Sequence, residues 1–531
     1  MRIGRMNLAG WRKACALGFL LAGVMAAWLG SAAADPEEAR VAFRRYCAAC
    51  HGMEGRGDGP NAPSLGETQP RDLTDPGYMG KLSDDHLRKV IAEGGRSVDR
   101  SPFMPAFGRT LPGEKLRDLV AYVRGLHTRR ERPPRKVEAP EEKGARLVRE
   151  LGCPNCHTIG DIRPRPIAPP LERAGEKFRR GWLIEFLKIP RRIRPLGHLP
   201  LSYSRMPEFR LSQEEAEALA AYLLARRKEE DGQRISGASA AKEAAEGFQL
   251  LLRHGCRACH AFEETGGVAG PDLTHVKGRL RNEWMARFIE NPQSWDPATP
   301  MPNLGVSSVE ARALARFFSP EEVGRQDAHP LPPNQVSRGK ALLEGLGCAS
   351  CHEAVAAAKR PEGPPDLTHL GDKVQAEWLR QFLKKPRPMR FWLKARMPDF
   401  RLSEEEADAL ARYFMRHRRD PEVKPIPPAE APDPSRAEAG RALFVLYECA
   451  KCHPAPGAPL RPGEDAALAP SLEDAGLRLN PDWVLRFLRN PQSIYPGTKM
   501  PSFFYDAGEP IEKDAEEKMR SIRDYLMTLK R

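Results

Sequence analysis

The chain has no cysteine to spare for structural disulfides. Of its eleven cysteines, ten sit in five copies of one short motif, and the eleventh, Cys15, lies in an apolar N-terminal stretch. A disulfide-stapled scaffold is therefore excluded. Beyond that stretch no apolar run resembles a membrane helix, which excludes a polytopic helical membrane protein. Acidic residues are missing from the first 34 positions, where Arg2, Arg5, Arg12 and Lys13 precede an apolar run from Ala14 to Gly30 and then Ser31-Ala32-Ala33-Ala34. This layout predicts a signal peptide over 1–34, with an uncleaved N-terminal anchor as the alternative, and an exported, periplasmic chain.

What is present is a repeat. Cys47-Ala48-Ala49-Cys50-His51 recurs as Cys153 to His157, Cys256 to His260, Cys348 to His352 and Cys449 to His453. Such a run reads as a c-type haem attachment. Two thiols add to the haem vinyl groups: Cys47 and Cys50, Cys153 and Cys156, Cys256 and Cys259, Cys348 and Cys351, Cys449 and Cys452. The adjoining His51, His157, His260, His352 or His453 then ligates iron. A redox dithiol needs one pair, and structural zinc needs two pairs at one metal. Five single pairs, each with a histidine attached, fit neither and predict five covalent haem c groups.

A strong charge of one sign is also missing. The formal charge of +13 falls to +9 without the leader. Each ferric haem with its two propionates adds about −1, leaving roughly +4. Nucleic-acid binding does not follow.

At 531 residues one core is implausible, and the motif spacing predicts an array. The units are 36–130, 140–230, 240–325, 336–420 and 436–531. Stiff linkers rich in proline and charge separate them, such as Arg132-Pro133-Pro134-Arg135, Pro330-Leu331-Pro332-Pro333 and Pro425-Ile426-Pro427-Pro428. Asp231 to Ser239 is richer in small residues, and bending is expected there.

Units two to five share a grammar. A glycine stands nine residues before the first cysteine (Gly144, Gly247, Gly339, Gly440), where a small residue lets a closing helix cross the opening one closely. Unit one has Glu38 there, with Ala39 beside it. Pro-x-Leu follows the motif at Pro169, Pro271, Pro365 and Pro470, with Pro63 the expected counterpart in unit one. Trp182, Trp284, Trp378 and Trp483 each precede a phenylalanine by four residues, so both rings share a helical face. Core packing is the plain reading, and an indole N–H donated to a haem propionate is the other. Unit two is basic, with Arg191-Arg192-Ile193-Arg194, which reads as a solvated face, as arginines paired with propionates, or as a surface that steers an acidic partner.

Every unit also has one Met-Pro downstream of its motif, at Met104, Met206, Met301, Met397 and Met500. They follow the motif histidines by 53, 49, 41, 45 and 47 residues. Thioether sulfur is a soft sixth ligand that raises the potential, and the following proline keeps its residue extended. A lone methionine is usually core filler, but five within a narrow band of spacings predict axial ligands. The rival is a second histidine. His275 and His369 occupy equivalent positions, but units two and five have no counterpart.

On these residues each unit resembles a class I cytochrome c domain, and the whole a five-domain fusion of them. The resemblance implies a mainly α fold in which an opening helix leads into the motif and a closing helix crosses it. Tyr122, Tyr222, Phe317, Tyr413 and Tyr525 would be the aromatics of that crossing. A proline carbonyl, at Pro63, Pro169, Pro271, Pro365 or Pro470, would accept from the proximal imidazole. Unit five departs by a longer stretch between motif and proline, 17 residues against 11 to 13. Iron with both axial sites filled exchanges electrons and binds no substrate. The expected function is electron transfer without catalysis, between redox proteins such as a quinol-oxidising complex, a terminal oxidase or reductase, and small cytochromes. A reductase or peroxidase with one open haem is the enzymatic alternative. A subunit of a larger membrane respiratory complex, attached through that partner or through the N-terminus to the outer face of the inner membrane, is the third.

Overall fold

The computed structural model describes residues 36–128, 138–164, 167–198, 201–202, 204–226, 240–319, 331–352, 364–387, 389, 396–421, 433–454, 469–506 and 508–530. The leader, the proline-rich linkers apart from residues 331–333, the 231–239 connection and most of the long stretch in unit five lie outside them. The fold is mainly α. Strand is confined to two short hairpins, Ala261–Phe262 with Thr265–Gly266 and Tyr505–Asp506 with Glu509–Pro510, and to isolated bridges among the described residues.

The longer helices are α1 (Pro36–Tyr46), α2 (Asp84–Glu93), α3 (Glu114–Thr128), α4 (Pro140–Glu150), α5 (Arg180–Lys188), α6 (Gln213–Leu224), α7 (Ala240–Arg253) and α8 (Asn282–Glu290). They continue as α9 (Ser308–Phe318), α10 (Pro333–Gly345), α11 (Ala376–Lys384), α12 (Glu404–His417), α13 (Pro434–Leu446), α14 (Pro481–Arg489) and α15 (Ala515–Thr528). Three closing helices start on the same device: Ser212, Ser307 and Ser403 each form a capping box with Glu215, Glu310 and Glu406. The serine oxygen accepts from the third helical N–H while the glutamate accepts from the serine N–H.

In units one, three and five, the opening helix crosses the closing helix of its own unit: α1 on α3, α7 on α9, and α13 on α15. Units two and four differ. Opening helix α4 of unit two crosses α12 of unit four, and α10 of unit four crosses α6 of unit two. Taking 140–230 and 336–420 as self-contained domains is thus corrected: these two units exchange their motif-bearing halves. The physical reason is that both present the same crossing surface, so each opening helix finds an equivalent seat on the other unit.

The crossings depend on the glycines. A Cβ on Gly144 would overlap the Ala409 carbonyl, and one on Gly339 the Ala218 carbonyl. Gly440 meets the Ser521 carbonyl in the same way, whereas a Cβ on Gly247 would overlap the Phe317 side chain. In unit one Ala39 is buried at the corresponding face, while Glu38 turns outward to pair with Lys115 at 3.1 Å. The aromatics sit on these crossings, with ring centroids 5.4 Å apart for Phe43 and Tyr122 and for Phe444 and Tyr525.

Candidate haem centres

All five motifs and all five Met-Pro methionines line one continuous cavity of about 1920 Å³. A pocket for one drug-sized ligand is roughly 300–1,000 Å³, so this space suits several large groups. Of the described histidines outside the motifs, His86 and His198 reach the lining, and the equivalent pair His275 and His369 does not.

Each motif imidazole is oriented by a backbone carbonyl. The Nδ1–H groups of His260 and His453 donate to Pro271 and Pro470 at 2.7 and 2.9 Å, within their own units. His157 donates to Pro365 of unit four at 3.0 Å, and His352 to Pro169 of unit two at 2.8 Å. Because a carbonyl only accepts, Nδ1 must carry the proton and Nε2 keeps its lone pair, the form a metal needs. Burial, outweighing these hydrogen bonds, also pushes the pKa of His51, His260, His352 and His453 down, which favours the neutral ring.

Unit one departs from expectation. His51 donates to Arg71, not Pro63, at 3.0 Å, and Pro63 is exposed in a short 3-10 turn. The carbonyl can come from any residue, so proline was not required. A local signal does mark the place: Asp72-Leu73-Thr74 repeats Asp272-Leu273-Thr274 and Asp366-Leu367-Thr368. In all three the aspartate accepts from the threonine N–H, at 2.7 to 2.8 Å.

The Trp and Phe pairs stack at 4.6 to 4.8 Å and line the cavity. The Trp378 indole N–H donates to Asp474 at 2.9 Å, tying that ring to unit five. The thiols of Cys47, Cys153, Cys259 and Cys348 are pushed up to about 12, chiefly by burial. They are neutral at ordinary pH, which is the reverse of a redox-active dithiol.

Neighbouring centres touch in an order that differs from the chain. Asn61 of unit one is fully buried and joins units one and three: its amide donates to Cys50 Sγ at 3.1 Å and to the Ala258 carbonyl at 2.8 Å, and its oxygen accepts from Val268 N–H at 2.6 Å. The centre of unit three meets the one built on His352 through the Phe178–Leu280 bridge, with Lys177 over Trp284 at 4.7 Å. The His352 and His157 centres meet where the Asn155 amide donates to Cys351 Sγ at 3.5 Å. The His157 centre meets unit five through a second copy of the same joint, the Val374–Leu479 bridge with Lys373 over Trp483 at 4.9 Å.

Residues 34–123 match a family model described as "Cytochrome C oxidase, cbb3-type, subunit III", and residues 141–226 and 336–417 each match "Cytochrome c". The matches support a c-type cytochrome with more than one haem. No curated protein and no solved structure matches the chain. The two "Cytochrome c" matches cover the two units that exchange helices, so the repeating unit of the sequence differs from the unit of packing.

The cavity fits haem on its own chemistry. Paired thiols on the cavity wall, carbonyl-oriented imidazoles and apolar walls are joined by cations that line the same space. Lys177 is pushed down to about 7, by burial first and then by Arg194 and Arg279, and Arg279 to about 10 by burial first. Crowded, partly buried cations of this kind call for anions, and haem propionates would supply them. Arg191, Arg192 and Arg194 line the same cavity, so the basic run contributes to this cluster. Haem would supply one-electron chemistry when bound; the motif cysteines and histidines would hold it, and the backbone carbonyls keep the imidazoles in the neutral Nδ1–H form.

Proposed function

We propose that the chain is an exported, periplasmic electron relay with five covalent haems, each closed between a motif imidazole and a Met-Pro thioether. It passes electrons between respiratory partners, a quinol-oxidising complex on one side and a terminal oxidase or reductase on the other, without transforming a substrate. The observation that carries this reading is that every motif and every one of the five methionines faces a single cavity. Filled axial positions leave iron able to exchange electrons but not to bind a reactant.

The joints between centres support a relay running from His51 to His260, His352, His157 and His453, so that the second motif of the chain comes fourth, behind the third and fourth motifs. The test is optical and by mass. The mature protein is expected to carry five haem additions, all low-spin with a sulfur-to-iron band, and the ferrous form to take up no carbon monoxide. A native fraction that binds carbon monoxide would overturn it.

A second reading has its own support. The family matched by residues 34–123 is named for an oxidase subunit, which favours membership of a membrane respiratory complex. Stable co-purification with an oxidase would establish it, and a salt-washable monomer would remove it.

A further inference from the structure

We propose that two of the irons are shared between sequence units. The haem on Cys153 and Cys156 takes His157 from unit two and Met397 from unit four. The haem on Cys348 and Cys351 takes His352 from unit four and Met206 from unit two. The proposal rests on the His/Met reading above and assigns ligands that sequence order pairs differently.

Three independent features carry it. The first is the imidazole hydrogen bonding, in which each of the two histidines is oriented by the other unit's proline carbonyl. Packing is the second: Met397 lies against the core that contains Leu147, Val148 and Cys153, and Met206 against the core that contains Leu343, Leu346 and Cys348. The third is surface charge at the crossings, where Lys143 pairs with Glu405 at 3.1 Å and its equivalent Arg338 with Glu214 at 3.3 Å.

The ligand loops explain how the exchange is held. Glu208 and Asp399 pair as antiparallel strand residues, each N–H donating to the other's carbonyl at 2.7 and 2.8 Å. Side chains alternate along such a segment. Arg205 therefore reaches Glu406 in one centre while Met206 turns to the other, and Arg396 and Met397 do the reverse with Glu215. Sharing ligands this way makes the spacing of these two haems independent of the linkers on either side of unit three.

The experiment uses the holoprotein. Met397→Ala is expected to create one equivalent of haem that binds carbon monoxide in the ferrous state. That equivalent is lost when Cys153 and Cys156 are also changed to Ser, and kept when Cys348 and Cys351 are. Met206→Ala gives the opposite dependence. If each methionine instead follows the cysteines of its own sequence unit, ligation stands and sharing falls. If neither substitution opens a haem, thioether ligation itself fails, and the proposal with it. Should the variants not mature, Lys143→Cys combined with Glu405→Cys or with Glu214→Cys, treated with a short bis-maleimide, reads the exchange in protein with all ligands intact. Linkage of 143 to 405 is expected, and linkage of 143 to 214 would overturn the proposal.

Discussion

Arg205 of unit two grips Glu406 of unit four with two parallel hydrogen bonds, Nη1 to Oε1 at 3.0 Å and Nη2 to Oε2 at 2.7 Å. Arg396 and Glu215 form the mirror-image pair, at 3.2 and 2.6 Å. Both glutamates are also N-terminal capping residues of their helices, so a single carboxylate closes a helix end and fastens two units together. Arg205→Ala leaves the mostly buried Glu406 without its charge partner, for which about 3 kcal/mol is expected. A denaturant midpoint measured on the holoprotein checks this. Arg205→Lys is expected to recover only part of the loss, because an ammonium cannot reproduce the planar fork.

The same pairs predict a direction with pH. Hydrogen bonding to Arg396 holds the Glu215 carboxyl below its ordinary value. For Glu406 burial pushes upward, but Arg205 and the Ser403 N–H together outweigh it, and the carboxyl again lies low. A depressed carboxylate contributes stability that is complete above its unfolded value, about 4.3, and is lost as pH falls through the folded one. Stability of the wild type is therefore expected to drop on acidification below about pH 5 more steeply than that of the Arg205→Ala, Arg396→Ala variant. Parallel curves would show that the clasp does not titrate.

Much of this architecture could be read from residue patterns, and the exceptions share a cause. Gly144, Gly247, Gly339 and Gly440 announced close crossings because nothing larger fits there. Trp182 and Phe186 announced a stacked pair because four residues complete about one helical turn. What the pattern could not say is on which unit α4 would dock, since Ala409 with Tyr413 and Ala218 with Tyr222 offer equivalent seats and local sequence carries no preference between them. Arg71 was missed for a related reason: its role is played by a backbone carbonyl, which leaves no mark on residue type.

Asn61 is expected to matter out of proportion to its size. Its amide and oxygen serve four groups from two units, including Val268 and Ala269 N–H, and the side chain is fully buried. Asn61→Ala strands these groups, at a cost of about 2 kcal/mol. Thermal unfolding of the holoprotein measures it. If units one and three communicate through this joint, electron exchange between their haems slows in the same variant while the potentials of the other three stay fixed.

Two glycines give opposite expectations. Gly440→Ala forces a methyl into the Ser521 carbonyl at the crossing of α13 and α15, and overpacking there is expected to cost about 1–3 kcal/mol. Gly125→Ala, late in α3, meets nothing within 4 Å and gains helix propensity, for a stabilisation of about 0.5–1 kcal/mol. Comparing the two in one denaturant series separates crowding from propensity.

The relay order can be tested without removing any haem. A second imidazole in place of thioether lowers a haem's potential. In the proposed relay unit three stands between unit one and the His352 centre, joined to the first through Asn61 and to the second through Phe178 and Leu280, while unit two also touches the unit-one core through Leu201. Unit five is terminal, reached through Val374 and Leu479. Met301→His therefore places an uphill step inside the path, whereas Met500→His places one at its end. Time-resolved reduction should show slowed equilibration between the haem on His51 and the haem on His352 in the first variant and an unaltered rate in the second. If electrons instead followed the chain, the haem on His157 would stand next to the one on His51. Met206→His and Met397→His, one of which lowers that haem under either ligand pairing, would then slow the exchange between His51 and His260. The spatial order expects both variants to leave that exchange unchanged.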